Sequence, residues 1–246
     1  MRTTVAAVKE WRQAPGAIAG KGVPSSLLRH ADEQTAVGLW AVQKLFENSG
    51  VPGDLASWGV IASGTFFGRE AQANGTLRFR DEGAWGVSPN LIPHHSTHAL
   101  SGTISLALGC HGANFGVGGG ANAVPEAFLT AAALMQPPLQ PGLLLILTGF
   151  ADEFVPSLSE PMPGPDTVIQ AAVLALEPAP GAVGSVCEWR RQAASSRDAA
   201  RNDLCLDDLI RCLQTRPAAA SWRLAADIRL DVRLDVRHVN PSRRAA

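Results

Sequence analysis

The sequence is short of charge. Asp, Glu, Lys and Arg make up 17% of its 246 residues, against 46% hydrophobic residues. So little charge means that a large share of the chain is covered, by its own core or by a partner. The two signs nearly cancel, to a formal net charge of −1. That removes the electrostatic reason to expect nucleic acid or an anionic membrane as a ligand. Long apolar runs are missing too. The longest, 142–150 (GLLLILTGF), is far too short to span a bilayer. The opening MRTTVAAVKEW has no sustained apolar stretch of the signal-peptide kind. Cysteine is sparse, and Cys110, Cys187, Cys205 and Cys212 form no CxxC pair. Reduced thiols and a cytoplasmic location are the expectation.

Catalytic signatures are equally scarce. No G-x-S-x-G elbow occurs. The densest imidazole group is His94, His95 and His98 in HHSTH. Its spacing is not that of HExxH, and no cysteine or carboxylate cluster stands beside it, so the three read as turn formers ahead of a helix. No metal and no cofactor is expected. Cys110 precedes a glycine-containing loop without a His/Asn arrangement and reads as a small buried thiol.

Apolar patterning is what the sequence does have. A helical pattern runs from Ser25 through Leu27, Leu28, Ala31, Val37, Leu39, Trp40, Leu45 and Phe46, and stops at Asn48-Ser49-Gly50. Residues 58–63 (WGVIAS) predict a buried strand, and 68–90 a polar excursion over the surface. Helices are predicted over 98–109 and 122–135, the second alanine-rich and buried all round, with Pro125 in its first turn. Residues 143–147 predict a central parallel strand, and 168–176 (VIQAAVLAL) fits strand or helix. A short helix is expected at 203–213. In 228–236 (IRLDVRLDV) apolar residues alternate with Arg or Asp, the pattern of a strand with one buried face. Strand–helix alternation over the first 180 residues argues for α/β layers.

One stretch asks for a function. Residues 112–128, GANFGVGGGANAVPEAF, place four glycines in five positions ahead of the alanine-rich helix. Gly116-Val117-Gly118-Gly119-Gly120-Ala121 satisfies G-x-G-x-x-[GA], with Asp152 further on. Backbone amides at a helix start would then cradle a pyrophosphate. The motif also needs an apolar strand before it, and Cys110-His111-Gly112-Ala113-Asn114 is a poor one. A dinucleotide- or CoA-binding enzyme built on this loop is one reading.

Residues 88–135, taken as one block, resemble the N-terminal half of a β-ketoacyl synthase. In that family a helix with an N-A-x-x-G-x-I core is followed by an L-G-x-x-G-P-N loop, a short interface strand and the turn T-A-C-A, whose cysteine is the nucleophile. Here the helix core is His98-Ala99-Leu100-Ser101-Gly102-Thr103-Ile104, and the loop is Leu108-Gly109-Cys110-His111-Gly112-Ala113-Asn114. Gly119-Gly120-Ala121-Asn122 falls on T-A-C-A, which puts Ala121 at the nucleophile position. The likeness extends more loosely over residues 5–178. No G-T-x-x-x-D or N-x-x-x-H pattern of the family's second half follows.

The resemblance implies a thiolase-like α/β half-fold, layered α/β/α with a mixed sheet, plus a C-terminal β-strand. It implies a ketosynthase-like unit over residues 1–178 and an extension of one helix and one strand over 179–246, packed on the same core. It also implies a chain-length-factor-like subunit without catalysis of its own. Such a subunit pairs with an active β-ketoacyl synthase in polyketide, aryl-polyene or fatty-acid-type synthesis and meets acyl carrier protein only indirectly. The contact and acyl-tunnel candidates are Phe115, Val117, Gly118, Gly119, Gly120, Ala121, Asn122 and Phe128, the last also fitting plain core. A third reading is a homodimeric scaffold that pairs through strand 228–236 as an edge.

Overall fold

A computed structural model describes residues 2–8, 25–49, 54–118, 120–135, 140–151, 168–178, 185–191, 204–225 and 227–234. Its elements are, in order, β1 (Arg2–Val8), α1 (Ser25–Leu28), α2 (Glu33–Ser49), β2 (Gly59–Gly64), α3 (Arg69–Glu82), a 3-10 turn (Gly83–Gly86), α4 (Leu91–His95) and α5 (Thr97–Leu108). There follow β3 (Asn114–Gly116), α6 (Ala123–Leu134), β4 (Leu143–Phe150), β5 (Ile169–Leu176), β6 (Val186–Arg191), α7 (Leu206–Thr215), β7 (Ala219–Ala225) and β8 (Ile228–Arg233). Five strands form a mixed sheet in the order β1-β5-β4-β2-β3, and three form a second sheet in the order β6-β8-β7.

The alternation of side chains along a strand explains the layering. On β4, Leu143, Leu145 and Leu147 join one apolar cluster, while Leu144 and Ile146 join another. On β5, Ala172, Leu174 and Leu176 go with the first cluster, and Ala171, Val173 and Ala175 with the second. Both faces are therefore buried, which is why these segments are mostly apolar. Helices α2 and α5 cover one face through Val37, Leu39, Val42, Leu100 and Ile104. Helix α6 covers the other through Val124, Ala127, Phe128 and Ala131, and α7 joins it through Leu209, Ile210 and Leu213. The inner face of the second sheet (Trp222, Leu224, Leu230, Val232) closes that same cluster. The result is four layers: helices, large sheet, helices, small sheet.

Several expectations are corrected here. The helical pattern from Ser25 is two helices, because Asp32 breaks it and starts α2 by accepting the Gln34 amide at 2.9 Å. The excursion at 68–90 does lie on the surface, but it is helix α3 and a 3-10 turn. Its polar sequence hides the helix because most of its residues stay exposed to water. Strand β4 is central, yet parallel only to β2 and antiparallel to β5. Helix α6 is not buried all round, since Glu126 and Ala133 are exposed. Among its described residues the extension holds three strands, not one, and the alternating segment forms their centre, with β6 and β7 on either side. A strand hydrogen-bonded on both sides is no edge, so the scaffold reading loses its proposed pairing surface. Gly119, Asp152 and residues 235–236 lie outside the described residues.

Candidate functional site

Because β2, β3 and β4 run parallel, their C-terminal ends emerge together, with Ala62 opposite Gly116 and Gly64 opposite Thr148. Open α/β sheets carry their sites at such ends. A buried polar ring holds this end in shape. Thr148 Oγ1 donates to Gln34 Oε1 at 2.8 Å, Gln34 Nε2 donates to the Thr65 carbonyl at 3.2 Å, and the Thr65 amide donates to the Thr148 carbonyl at 2.8 Å. The turn after β2 is unusual in its backbone, with Phe66 in the left-handed region at φ 51. The Arg69 guanidinium lies 3.6 Å from the centroid of the Phe66 ring, and its Nη1 is buried without a hydrogen-bond partner.

The glycine-rich turn starts on β3, the edge strand of the large sheet, which pairs only with β2 among the described residues. Phe115 stands on it with 46% of its surface exposed. Two glycines have structural duties. A Cβ on Gly116 would stand 2.1 Å from the Thr97 carbonyl oxygen. Gly118 has φ +75, and a Cβ there would meet Ala123 Cα at 2.8 Å. The Val117 amide donates to the Ala62 carbonyl at 2.9 Å, and the Val117 side chain packs on the core cluster. Past it the turn opens. Nothing lies within 4 Å of a Cβ built on Gly120, and Ala121 and Asn122 are exposed. Ser63 Oγ donates to the Ala123 carbonyl at 3.0 Å and ties the start of α6 to β2.

This geometry is poor for a pyrophosphate. The Ala123 amide is already spent on the Gly120 carbonyl at 3.1 Å, and Pro125 has no amide proton. The Glu126 carboxylate sits 3.2 Å from a Cβ built on Gly118, where it would repel an anion. The strand leading in has three residues.

The other candidates separate from this turn. Phe128 is wholly buried in the core, its ring centroid 6.5 Å from that of Trp189, and its carbonyl accepts from Trp189 Nε1 at 3.1 Å. That contact anchors α6 to β6, a strand that the sequence reading had not placed. Its only signal was the alternation of Val186, Glu188 and Arg190 with Cys187 and Trp189. The histidines take up separate partners. His94 packs against His30 with the rings tilted by 47° and their centroids 5.5 Å apart, His95 Nδ1 lies 3.4 Å from Asp32 Oδ2, and His98 Nδ1 lies 3.3 Å from Ser101 Oγ. Desolvation, with His30 and His95 nearby, pushes the His94 pKa down. Among the described residues no group of three His, Cys, Asp or Glu could hold a metal. Burial pushes the Cys110 thiol up to about 11, away from the thiolate that a nucleophile requires. No described helix is long and apolar enough to cross a membrane.

No protein-family model matches the sequence, and neither does any curated protein. Solved structures do match it in shape. A chain of the ketosynthase ApeO in complex with its chain length factor ApeC, from Xenorhabdus doucetiae, superposes with a TM-score of 0.56 at 9% identity, over 95% of this chain and 99% of that one. The ishigamide ketosynthase/chain length factor gives 0.50 at 15% identity, over 87% of this chain and 72% of that one. A β-ketoacyl synthase from Burkholderia phymatum STM815 gives 0.50 at 16% identity, over 87% of this chain and 62% of that one. At such identities the likeness is one of fold. The mixed sheet, its helical layers and these neighbours together give the chain the thiolase-like fold of the ketosynthases.

Proposed function

We propose that this chain is a catalytically silent ketosynthase homologue that acts, like a chain length factor, as the partner of an active β-ketoacyl synthase. The observation that carries the reading is Ala121. It is exposed in the turn between the edge strand and α6, and the sequence resemblance aligns it with the family's nucleophilic cysteine. A methyl group forms no thioester, so the turn is left to contact rather than chemistry. The edge offers what such a contact needs. One side of β3 is unpaired among the described residues, and Phe115 is half-exposed. A partner strand or side chain would cover both.

Size supports the reading as well, since the chain spans 99% of the chain it matches in the ketosynthase–chain length factor complex. On this reading residues 1–178 are the ketosynthase-like unit. Residues 179–246 stand in place of the family's second half and supply the inner face of the small sheet. Acyl carrier protein is met through the catalytic partner, in a pathway of polyketide, polyene or fatty-acid type. The test is co-expression with a catalytic β-ketoacyl synthase from the same genome, followed by co-purification and product analysis. Co-purification and a shorter product with Ala121→Trp are expected. A chain that purifies alone, with product length indifferent to Ala121→Trp, sinks the proposal.

A further inference from the structure

The outer face of the small sheet breaks a rule of strand pairing. Because Trp189, Trp222, Leu230 and Val232 turn toward the core, Glu188, Arg190, Arg229, Asp231, Arg233, Ser221 and Arg223 turn the other way. The register sets Arg190 of β6 opposite Arg229 of β8, and Arg229 opposite Arg223 of β7. Three arginines therefore stand in one row across three strands, and like charges directly opposite each other destabilise a sheet. The next row, Glu188, Asp231 and Ser221, offsets only part of that. Glu188 meets Arg190 at 2.8 Å and Arg233 at 3.6 Å. Asp231 accepts from Ser221 and lies 3.3 Å from Arg190 Nε and 3.5 Å from Arg229 Nε. Two carboxylates are thus shared by Arg190, Arg229 and Arg233, whose side chains stay about half exposed. Two open clefts of about 380 and 300 Å³ lie on this face and share Arg190 and Asp231. The sequence carries the same bias. Residues 179–246 hold twelve arginines and eight carboxylates, whereas residues 1–178 hold nine basic and fourteen acidic side chains.

We infer that the outer face of the small sheet docks an acidic segment of another protein on its row of arginines. A row across three strands spans about 10 Å, too wide for one compact anion to reach every guanidinium. Carboxylates spaced along a chain can each occupy a separate guanidinium fork. The chain's net charge of −1 and the inward turn of Trp189 and Trp222 leave little to hold nucleic acid. This face lies on other strands than the β3 edge, and its docking does not rest on pairing with a ketosynthase.

Fluorescence anisotropy of a fluorescein-labelled hexaglutamate peptide, titrated with the full chain, tests the face. Saturable binding that weakens as salt is raised is expected, with none to hexaserine. Arg229→Ser should weaken it by about tenfold or more, the loss of one charge-assisted contact. The same variant should keep its unfolding midpoint, because it also relieves Arg190 and Arg223 of their like-charged neighbour. Arg80→Ser, on α3 and held by Asp81 at 2.7 Å, leaves the affinity unchanged. The inference is overturned if the peptide does not bind, if Arg229→Ser and Arg80→Ser behave alike, or if Arg229→Ser lowers the unfolding midpoint. Pyrophosphate or a thymidine hexanucleotide binding as tightly as the peptide overturns it too.

Discussion

Two glycines four positions apart test what the glycine-rich turn is for. At Gly116 a Cβ meets backbone at 2.1 Å, whereas at Gly120 it meets nothing within 4 Å. Gly116→Ala is expected to lose about 1–3 kcal/mol or more. Gly120→Ala should stay within about 0.5 kcal/mol of the parent. Urea unfolding of both variants checks the contrast, and equal stabilities would mean that the turn is not packed as described. The buried thiols give a second prediction. Burial holds Cys110 up to about 11 and Cys187 up to about 12, while an unfolded thiol ionises near its ordinary value of about 8.5. A pKa raised in the folded state stabilises fully below the unfolded value and is lost as pH climbs through the folded one. Stability should therefore fall from about pH 9 upward. Unfolding midpoints measured between pH 8 and 11 should fall less steeply in Cys110→Ala.

Among the elements, the joint between α6 and β6 matters most for the far side of the core. Trp189→Phe keeps the ring beside Phe128 and removes the hydrogen bond to its carbonyl, a loss of about 1 kcal/mol. Phe128→Ala empties a fully buried site and should lose about 3–5 kcal/mol by denaturant unfolding. A Phe128→Ala loss below that of Trp189→Phe would contradict its place in the core. These elements differ in how plainly the sequence announced them. Strand β4 was legible because both its faces are buried, so residues 143–147 are apolar throughout, whereas the segment of β5 fitted strand or helix until its pairing with β4 decided it. Helix α3 was not, because it rests on α4 and the 3-10 turn with no apolar stripe to mark it. Gly116 and Gly118 were legible as a turn but not as a packing device. Only the structure shows the Thr97 carbonyl and Ala123 crowding them. Phe115 and Ala121 enter as contact candidates through the resemblance alone, and the fold adds that both are exposed.

At the scale of the molecule, α7 and the small sheet close one face of the large sheet. A chain ending at residue 178 would expose Leu145, Leu174 and Phe128 at once, since Leu209, Leu230 and Trp222 complete their cluster. Expressed alone it should be insoluble, and a soluble, cooperatively unfolding fragment would show that the extension is a separate unit. The open edge lies on the opposite end of the large sheet from β1, where β3 leaves Phe115 uncovered. On the proposed reading, a catalytic ketosynthase covers that edge. Native mass spectrometry of the co-expressed pair tests it most directly, with the parent chain set against Phe115→Asp. A one-to-one heterodimer is expected for the parent and separate subunits for Phe115→Asp, whose own unfolding midpoint is unchanged. A pair that survives Phe115→Asp intact, or a parent chain found only with copies of itself, would contradict it.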